Sequence, residues 1–421
     1  MGWWFLVLSV LGIAHAVNAL APRKDNLPVL AASFAAAWLT IELVWHHLVI
    51  GVLLTLAFGW AGAFHTVPGI VGLVLMAATE AILLSIALQT RRTVVLVRDA
   101  LADLEPGPDA PRFPRSHIVF PFLLGHRRGV KVRRNIPFAR LAGKTLRLDV
   151  SIPSAPVPGG GARRPALLQV HGGGWVIGDK REQGLPLVSH MAAQGWVGFN
   201  ANYRLSPGVA MPEHLIDVKR ALVWIREHAD DYGIDPDFIC ITGGSAGGHL
   251  CALMAVTEND PRYQPGFEDA DTSLAAAVPF YGVYDFRPGS AMTEDRRVYS
   301  MFLEPLVMKA FVDDEPERFA DASPITHVHP GVPPFFVVHG DKDTLAPVED
   351  ARAFVGALRE VSSEPVAYAE MRGAEHAFDV FPSVRAARVI EGVERFLSTL
   401  WERRRGSAPA AEDELADALT D

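Results

Sequence analysis

Three apolar stretches open the chain, residues 2–20, about 29–57 and about 67–89, before charged residues become dense. Each is long enough to cross a hydrocarbon core of about 30 Å as a helix, so the pattern predicts an all-α bundle of about three transmembrane helices. After the third, "LQTRRTVVLVRDALADL" keeps helical spacing and predicts a helix leaving the membrane, and "EPGPDAPRFPRS" then breaks it as a linker. From about residue 130, short apolar runs alternate with amphipathic segments. "TLRLDVSI", "PALLQVHG", "WVGFNANY", "FICITGG", "AAAVPFYG", "PPFFVVHG" and "EPVAYAEM" predict strands. "EHLIDVKRALVWIREHADDYG", "SAGGHLCALMAV", "VEDARAFVGALREV" and "VRAARVIEGVERFLSTLW" predict helices. This alternation predicts an α/β unit whose mainly parallel sheet is covered on both faces. The chain thus divides into a membrane domain (1–100), a linker and interfacial segment (101–128), an α/β domain (129–404) and an acidic tail (405–421).

Charge sharpens the division. Residues 1–140 hold 13 Lys and Arg against 7 Asp and Glu, and the remainder holds 26 against 41. An acidic α/β part argues against nucleic acid as a partner. Arg23 and Lys24 follow the first span and Arg91 and Arg92 the third, whereas the loop around Gly59 to Pro68 has no Lys or Arg. With three spans both basic segments fall on one side, which the positive-inside rule makes cytoplasmic, and the α/β domain with them. Ala14-His15-Ala16 resembles a signal-peptide cleavage site, but "MGWW" lacks a positive n-region, so the first span reads as an anchor. Glu42, His46 and Glu80 lie within the spans and read first as polar contacts between helices, second as a lipid-headgroup site. Arg127, Arg128, Lys131, Arg133 and Arg134 suit either anionic headgroups or the solvated face of a first edge strand. Cys240 and Cys251 have no metal-ligand or CxxC spacing and read as small buried residues.

The chemistry concentrates in four loops. Gly243-Gly244-Ser245-Ala246-Gly247 fits G-x-S-x-G between a predicted strand and a predicted helix, the context of a nucleophile elbow. Such a serine needs an acid after a later strand and then a histidine, in that chain order. "HGDKD" supplies Asp343, with Asp341 as the alternative whose bland role is a turn cap, and "GAEHAF" supplies His376. His249 reads as packing beneath the site, and His327, His329 and His339 as structural. The run Gly172-Gly173-Gly174 fits neither G-x-G-x-x-G opening a helix nor a P-loop. Placed after a central strand and upstream of the serine, it suits an oxyanion hole made of backbone amides. No cofactor and no metal is expected.

Together "HGGGW", "NYRLSP", "GGSAGGHL", "HGDKD" and "GAEHAF", over about residues 165–380, resemble the hormone-sensitive-lipase-like branch of the α/β-hydrolase carboxylesterases, which is itself similar to the kynurenine formamidases. The resemblance implies an α/β-hydrolase fold, a Ser245–His376–Asp343 triad, and oxyanion amides from Gly173, Gly174 and Ala246. Many relatives carry an acidic residue just before the serine, where this chain has Gly244. The implied reaction is acyl transfer through an acyl-enzyme. Trp175, Tyr281 and Phe378 are candidate substrate contacts, with Phe280 and Tyr284 beside them, and residues 285–330 are a candidate cap. The expected substrate is an ester, lipidic because of the membrane domain, with membrane lipids as the other partner. An amidase or arylformamidase with the same triad and a non-catalytic membrane scaffold are the alternatives. Oligomeric state is not encoded in these patterns.

Overall fold

The computed structural model describes residues 1–24, 26–104, 110–122, 127–141, 143–155, 163–294 and 299–407. Most of the expected acidic tail and parts of the linker lie outside these residues.

The apolar N-terminal region forms α1 (Gly2–Leu20), α2 (Leu27–Glu42), α3 (Val44–Trp60) and α4 (Val67–Arg91), with α5 (Thr93–Ala100) continuing from α4 and a short α6 (Arg115–Val119) beyond. Asn26 caps α2 through a 3.1 Å hydrogen bond from Val29 N, and Thr66 caps α4 in the same way. Small residues let the helices approach: Ala16, Ala19, Ala37 and Ala87 pack with Ile41, Leu83 and Ile86. The outward faces are apolar, with Trp3, Trp4 and Leu11 on α1, Val49, Leu53 and Leu56 on α3, and Ile70, Val74 and Leu88 on α4 all exposed. Two helices are long and apolar enough to cross a membrane, or three if a bent pair counts as one.

That bent pair departs from the expected second span. The apolar run near 29–57 is two helices meeting at 83° around Leu43. The buried polar contacts next to the bend reach outside the bundle. Glu42 Oε1 sits 3.3 Å from Arg385 Nε, both side chains fully buried, and Ser383 Oγ donates to Glu42 Oε2 at 2.7 Å. A buried carboxylate goes where its partners are, and these are on the α/β domain. Glu42 and His46 therefore do not hold the bundle together as a pair. His46 Nε2 instead lies 3.1 Å from Val119 O after the bend, and Glu80 faces Gly51 of α3.

The α/β domain is built on eight strands, β1 (Val130–Leu141), β2 (Lys144–Pro153), β3 (Arg164–Val170), β4 (Val197–Ala201), β5 (Ile234–Gly244), β6 (Ala276–Phe280), β7 (Phe335–Gly340) and β8 (Val366–Met371). Their order is β1-β2-β4-β3-β5-β6-β7-β8. The first two pairings are antiparallel and the rest parallel, which is the α/β-hydrolase arrangement. All seven expected strands are present. The eighth, β1, exposes Lys131, Arg133 and Arg134 as a solvated edge, while Arg127 turns inward, 2.9 Å from His190 Nδ1.

Every residue of β3 is buried, as a parallel strand covered on both faces requires. Successive residues serve opposite cores: Leu168 and Ile241 face one cluster, Leu167 and Cys240 the other. Helices α7 (Leu185–Ala193), α8 (Glu213–Glu227), α9 (Ala229–Tyr232) and α10 (Ala246–Val256) and the helices Val348–Val361 and Val384–Ser407 cover the sheet. Val97, Leu101 and Leu104 from the end of the N-terminal region join the second cluster, so the two regions share one core.

Candidate active site

Loops leaving the C-terminal ends of β3, β5, β7 and β8 meet at one edge of the sheet, where open α/β folds bind ligands. Ser245 follows the end of β5 and precedes α10 with φ +59° and ψ −122°. This conformation costs a non-glycine residue of order 1–3 kcal/mol and lifts the side chain off the sheet. Two backbone bonds hold it, Ser245 N to Phe280 O at 3.0 Å and His249 N to Ser245 O at 2.9 Å.

After β7, Asp343 is fully tied. Its Oδ1 accepts the backbone N–H of Leu345 (2.9 Å) and Ala346 (2.8 Å), and its Oδ2 lies 2.7 Å from His376 Nδ1 and 3.3 Å from His339 Nε2. Burial alone would push the pKa of this carboxyl up. The neighbouring His376 and the hydrogen bonds from His339 and His376 outweigh burial and hold it well below the usual carboxylate range. An ionised Asp343 keeps the proton of His376 on Nδ1 and leaves Nε2 as an acceptor. Asp341 takes the bland role, its Oδ1 accepting from Gly373 N at 2.6 Å.

Glu375, which the sequence motifs did not single out, joins the acid and histidine loops. Its Oε1 accepts from Thr344 N, Thr344 Oγ1 and His376 N at 2.7, 3.0 and 2.9 Å. Burial first and the nearby Asp343 second push its carboxyl up to about 7.

After β3, Gly173 and Gly174 have φ of +106° and +58°. A Cβ on Gly173 would overlap Ile177 O, and one on Gly174 would come 2.7 Å from Phe302, so glycine is required twice over. Among the described residues no backbone acceptor takes either amide, whereas Gly172 N donates to Gln183 Oε1 at 2.8 Å. Ala246, first in α10, has no intrahelical acceptor for its own amide.

Ser245, His376, Gly173 and Gly174 line one cavity of about 520 Å³. No hydrogen bond joins Ser245 to His376 among the described residues, and such bonds often tighten only when substrate is bound. Trp175 lines the cavity as expected, and Met292, Phe302 and Leu303 do so from the expected cap. Tyr281 and Phe378 do not line it. Both are buried behind the histidine, Tyr281 with its ring centroid 4.6 Å from that of His376 and its hydroxyl donating to Asp379. Phe280 and Tyr284 are likewise core residues. The space in front of Tyr281 explains Gly244: a Cβ there would sit 2.6 Å from the phenol oxygen. His249 packs beneath Trp175, centroids 5.1 Å apart, with Nε2 2.7 Å from Ala322 O.

The remaining wall was missed in the sequence. Leu30, Phe34 and Trp38 of α2 line the cavity, and Trp38 Nε1 donates to Ala377 O at 2.9 Å. One signal was present: residues 30, 34, 38 and 42 recur every four positions and so form a stripe along a helix. Among the described residues no group of three or more His, Cys, Asp or Glu is arranged to hold a metal ion.

Comparison with known proteins agrees with this geometry. The BD-FAE family model matches residues 148–358. The chain is similar to the probable carboxylic ester hydrolase LipM of Mycobacterium tuberculosis, 52% identical over 247 residues, covering 58% of this chain and 57% of LipM. It is similar to the esterase LipQ of the same organism, 47% identical over 282 residues, covering 67% and 66%. The matches thus span less than two thirds of the length of these curated relatives. Among solved structures, esterase 2 of Thermogutta terrifontis with propionate bound superposes with a TM-score of 0.53 at 26% identity, covering 64% of this chain and 94% of that one. The same esterase phosphonylated by sarin gives 0.55 at 26%, covering 65% and 95%. With half of its length matched by the family model, a stretch that holds Ser245 and Asp343 while His376 follows it in the chain, the chain belongs to the BD-FAE family of α/β-hydrolase-fold serine carboxylesterases.

Proposed function

We propose that the protein is a membrane-anchored serine carboxylesterase that cleaves lipidic acyl esters through an acyl-enzyme. The observation that carries this reading is the Asp343–His376 pair opening, with Ser245, onto a cavity whose walls are almost wholly apolar. In the first step Ser245 Oγ attacks the ester carbonyl as His376 Nε2 takes its proton, and Asp343 stabilises the imidazolium through Nδ1. Negative charge on the carbonyl oxygen meets the amides of Gly173, Gly174 and Ala246; removing one oxyanion-hole donor costs about 2.7–4 kcal/mol in a well-studied protease. His376 then protonates the leaving alcohol. Water attacks the acyl-enzyme by the same route in reverse. The relatives support this chemistry: LipM and LipQ are named as ester hydrolases, and the Thermogutta esterase carries propionate or an organophosphonate. The motifs favour the hormone-sensitive-lipase-like branch.

A fluorophosphonate probe should label the wild-type protein and not Ser245→Ala, and the variant should lose about 10⁴-fold or more in kcat on p-nitrophenyl esters. Wild-type protein that neither labels nor hydrolyses overturns the reading. N-formylkynurenine turned over faster than any ester moves it to the formamidases.

For topology, α1, α3 and α4 are the proposed crossings. Phe5 of α1 packs with Phe58 and Phe64 at one end of the bundle, whereas Leu20 O accepts from Lys342 Nζ at the other. The basic residues 23–24 and 91–92 lie at the end beside the α/β domain, which by the positive-inside rule supports a cytoplasmic side for that domain. An alkaline phosphatase reporter fused after Asp421 should be inactive, and an active fusion reverses the orientation.

A further inference from the structure

We propose that α2 is the acyl-selecting wall of the active site, not half of a membrane span, and that Trp38 also positions the loop carrying His376. The inference rests on the esterase reading and adds to it a segment well outside the residues that the family model matches.

Four observations converge on α2. Leu30, Phe34 and Trp38 face the cavity that holds Ser245 and His376. The Phe34 ring approaches the His376 ring edge-on, centroids 6.3 Å apart. The Trp38 indole stacks on Phe381 at 5.0 Å and donates to the carbonyl of Ala377, the residue after His376. Finally, the bend at Leu43 and the buried Glu42–Arg385 contact hold the helix against the α/β domain at its C-terminal end, as Lys342 holds the end of α1 just before it.

The physical consequence is a division of labour within one apolar sequence. Helix α3, with its exposed Val49, Leu53 and Leu56, meets lipid, while α2 turns its aromatic residues to the catalytic cavity and Ala37 and Ile41 to the bundle. Ile177 also lines the cavity and is 68% exposed although apolar. An apolar rim beside a lipid-facing bundle suits an ester with a long acyl chain that arrives from the bilayer, the chain lying along Leu30 and Phe34. A short-chain, water-soluble ester would leave those side chains without contact. Ala377 has φ +60°, so its backbone is held by its contacts, and the Trp38 bond is one of them.

The test uses the full chain in phospholipid nanodiscs, p-nitrophenyl esters from acetate to dodecanoate, and fluorophosphonate labelling of Ser245. Wild type should favour long chains. Phe34→Ala should lower the ratio of dodecanoate to acetate kcat/KM by about tenfold, the scale on which one or two lost apolar contacts discriminate substrates. Trp38→Phe keeps a ring but removes the N–H donor. It should slow labelling and lower kcat at every chain length, with a smaller change in the ratio. Phe34→Leu, a milder change, should fall between wild type and Phe34→Ala, so that a misfolded alanine variant does not end the test. Variants that label at the wild-type rate and keep the chain-length ratio within about twofold overturn the inference while leaving the esterase reading intact. Wild-type protein that does not label defeats both.

Discussion

At the scale of single residues, the site is held by groups that touch its reactive members from behind. Gly244 is the sharpest case. The residue before the nucleophile is glycine because Tyr281 occupies the space a side chain would need, its ring against His376 and its hydroxyl on Asp379. Gly244→Ala should therefore cost about 1–3 kcal/mol in stability, as overpacking in a filled core does, and should also lower kcat by displacing Tyr281 from the histidine. Thermal unfolding and ester kinetics check the two effects, and a variant as stable and active as wild type would show that Tyr281 can move freely. That Ser245, His376 and Asp343 would meet on adjoining loops was legible in the sequence because their motifs carry local geometry: a strand, a sharp turn and a fixed chain order. Glu375 and Tyr281 were not legible in these roles. Nothing in "GAEHAF" says that the glutamate bridges two loops, and an aromatic residue after a strand reads equally well as pocket or core.

At the scale of elements, the strands were the most readable part, since buried parallel strands are short, apolar and bounded by turns. Seven were expected and all seven occur, and the edge strand β1 emerged from a stretch whose basic residues fitted two readings. The region around 29–57, expected as one span, is a bent pair of helices that together remain a candidate crossing. Apolar composition says that a segment avoids water, not whether its neighbour is lipid or protein. Beside the bend lies a contact between Glu42 and Arg385, residues far apart in the chain. Removing one partner of a buried pair leaves the other uncompensated, so Arg385→Met should destabilise the docked arrangement by about 3–5 kcal/mol. Combining it with Glu42→Leu should recover much of that loss, and a double-mutant cycle on denaturation midpoints measures the coupling. Equal and additive losses would mean that the pair does not anchor α2.

At the scale of the whole molecule, acid and base loops are coupled to folding as well as to chemistry. Glu375 has its carboxyl pushed up to about 7 in the folded protein, against 4.5 ordinarily. Between those values the unfolded chain releases the proton and the folded chain retains it, so stability contributed by this group falls as pH rises from about 4.5 to 7. Asp343 has the opposite sign. Held well below its ordinary range, it contributes stability above that range, and the contribution is lost as pH falls through the folded value. Glu375→Gln should flatten the stability profile across the window up to neutrality while leaving the acid limb in place. Chemical denaturation at a series of pH values checks this, and an unchanged slope would assign the dependence to other groups.

The sequence by itself determined the alternation of strand and helix, the order of nucleophile, acid and base, and the glycine run that only a close backbone approach explains. These are local properties, set by periodicity and by the conformations each residue type tolerates. Only the tertiary structure decided which aromatic residues reach the cavity, why Gly244 has no side chain, and that Leu30, Phe34 and Trp38 of α2 line the cavity with Ser245 and His376. Those outcomes depend on contacts between residues distant in the chain, Trp38 with Ala377 and Glu42 with Arg385 among them. A buried polar group takes its lowest free energy from whichever partner the fold brings near, and that partner is not written beside it.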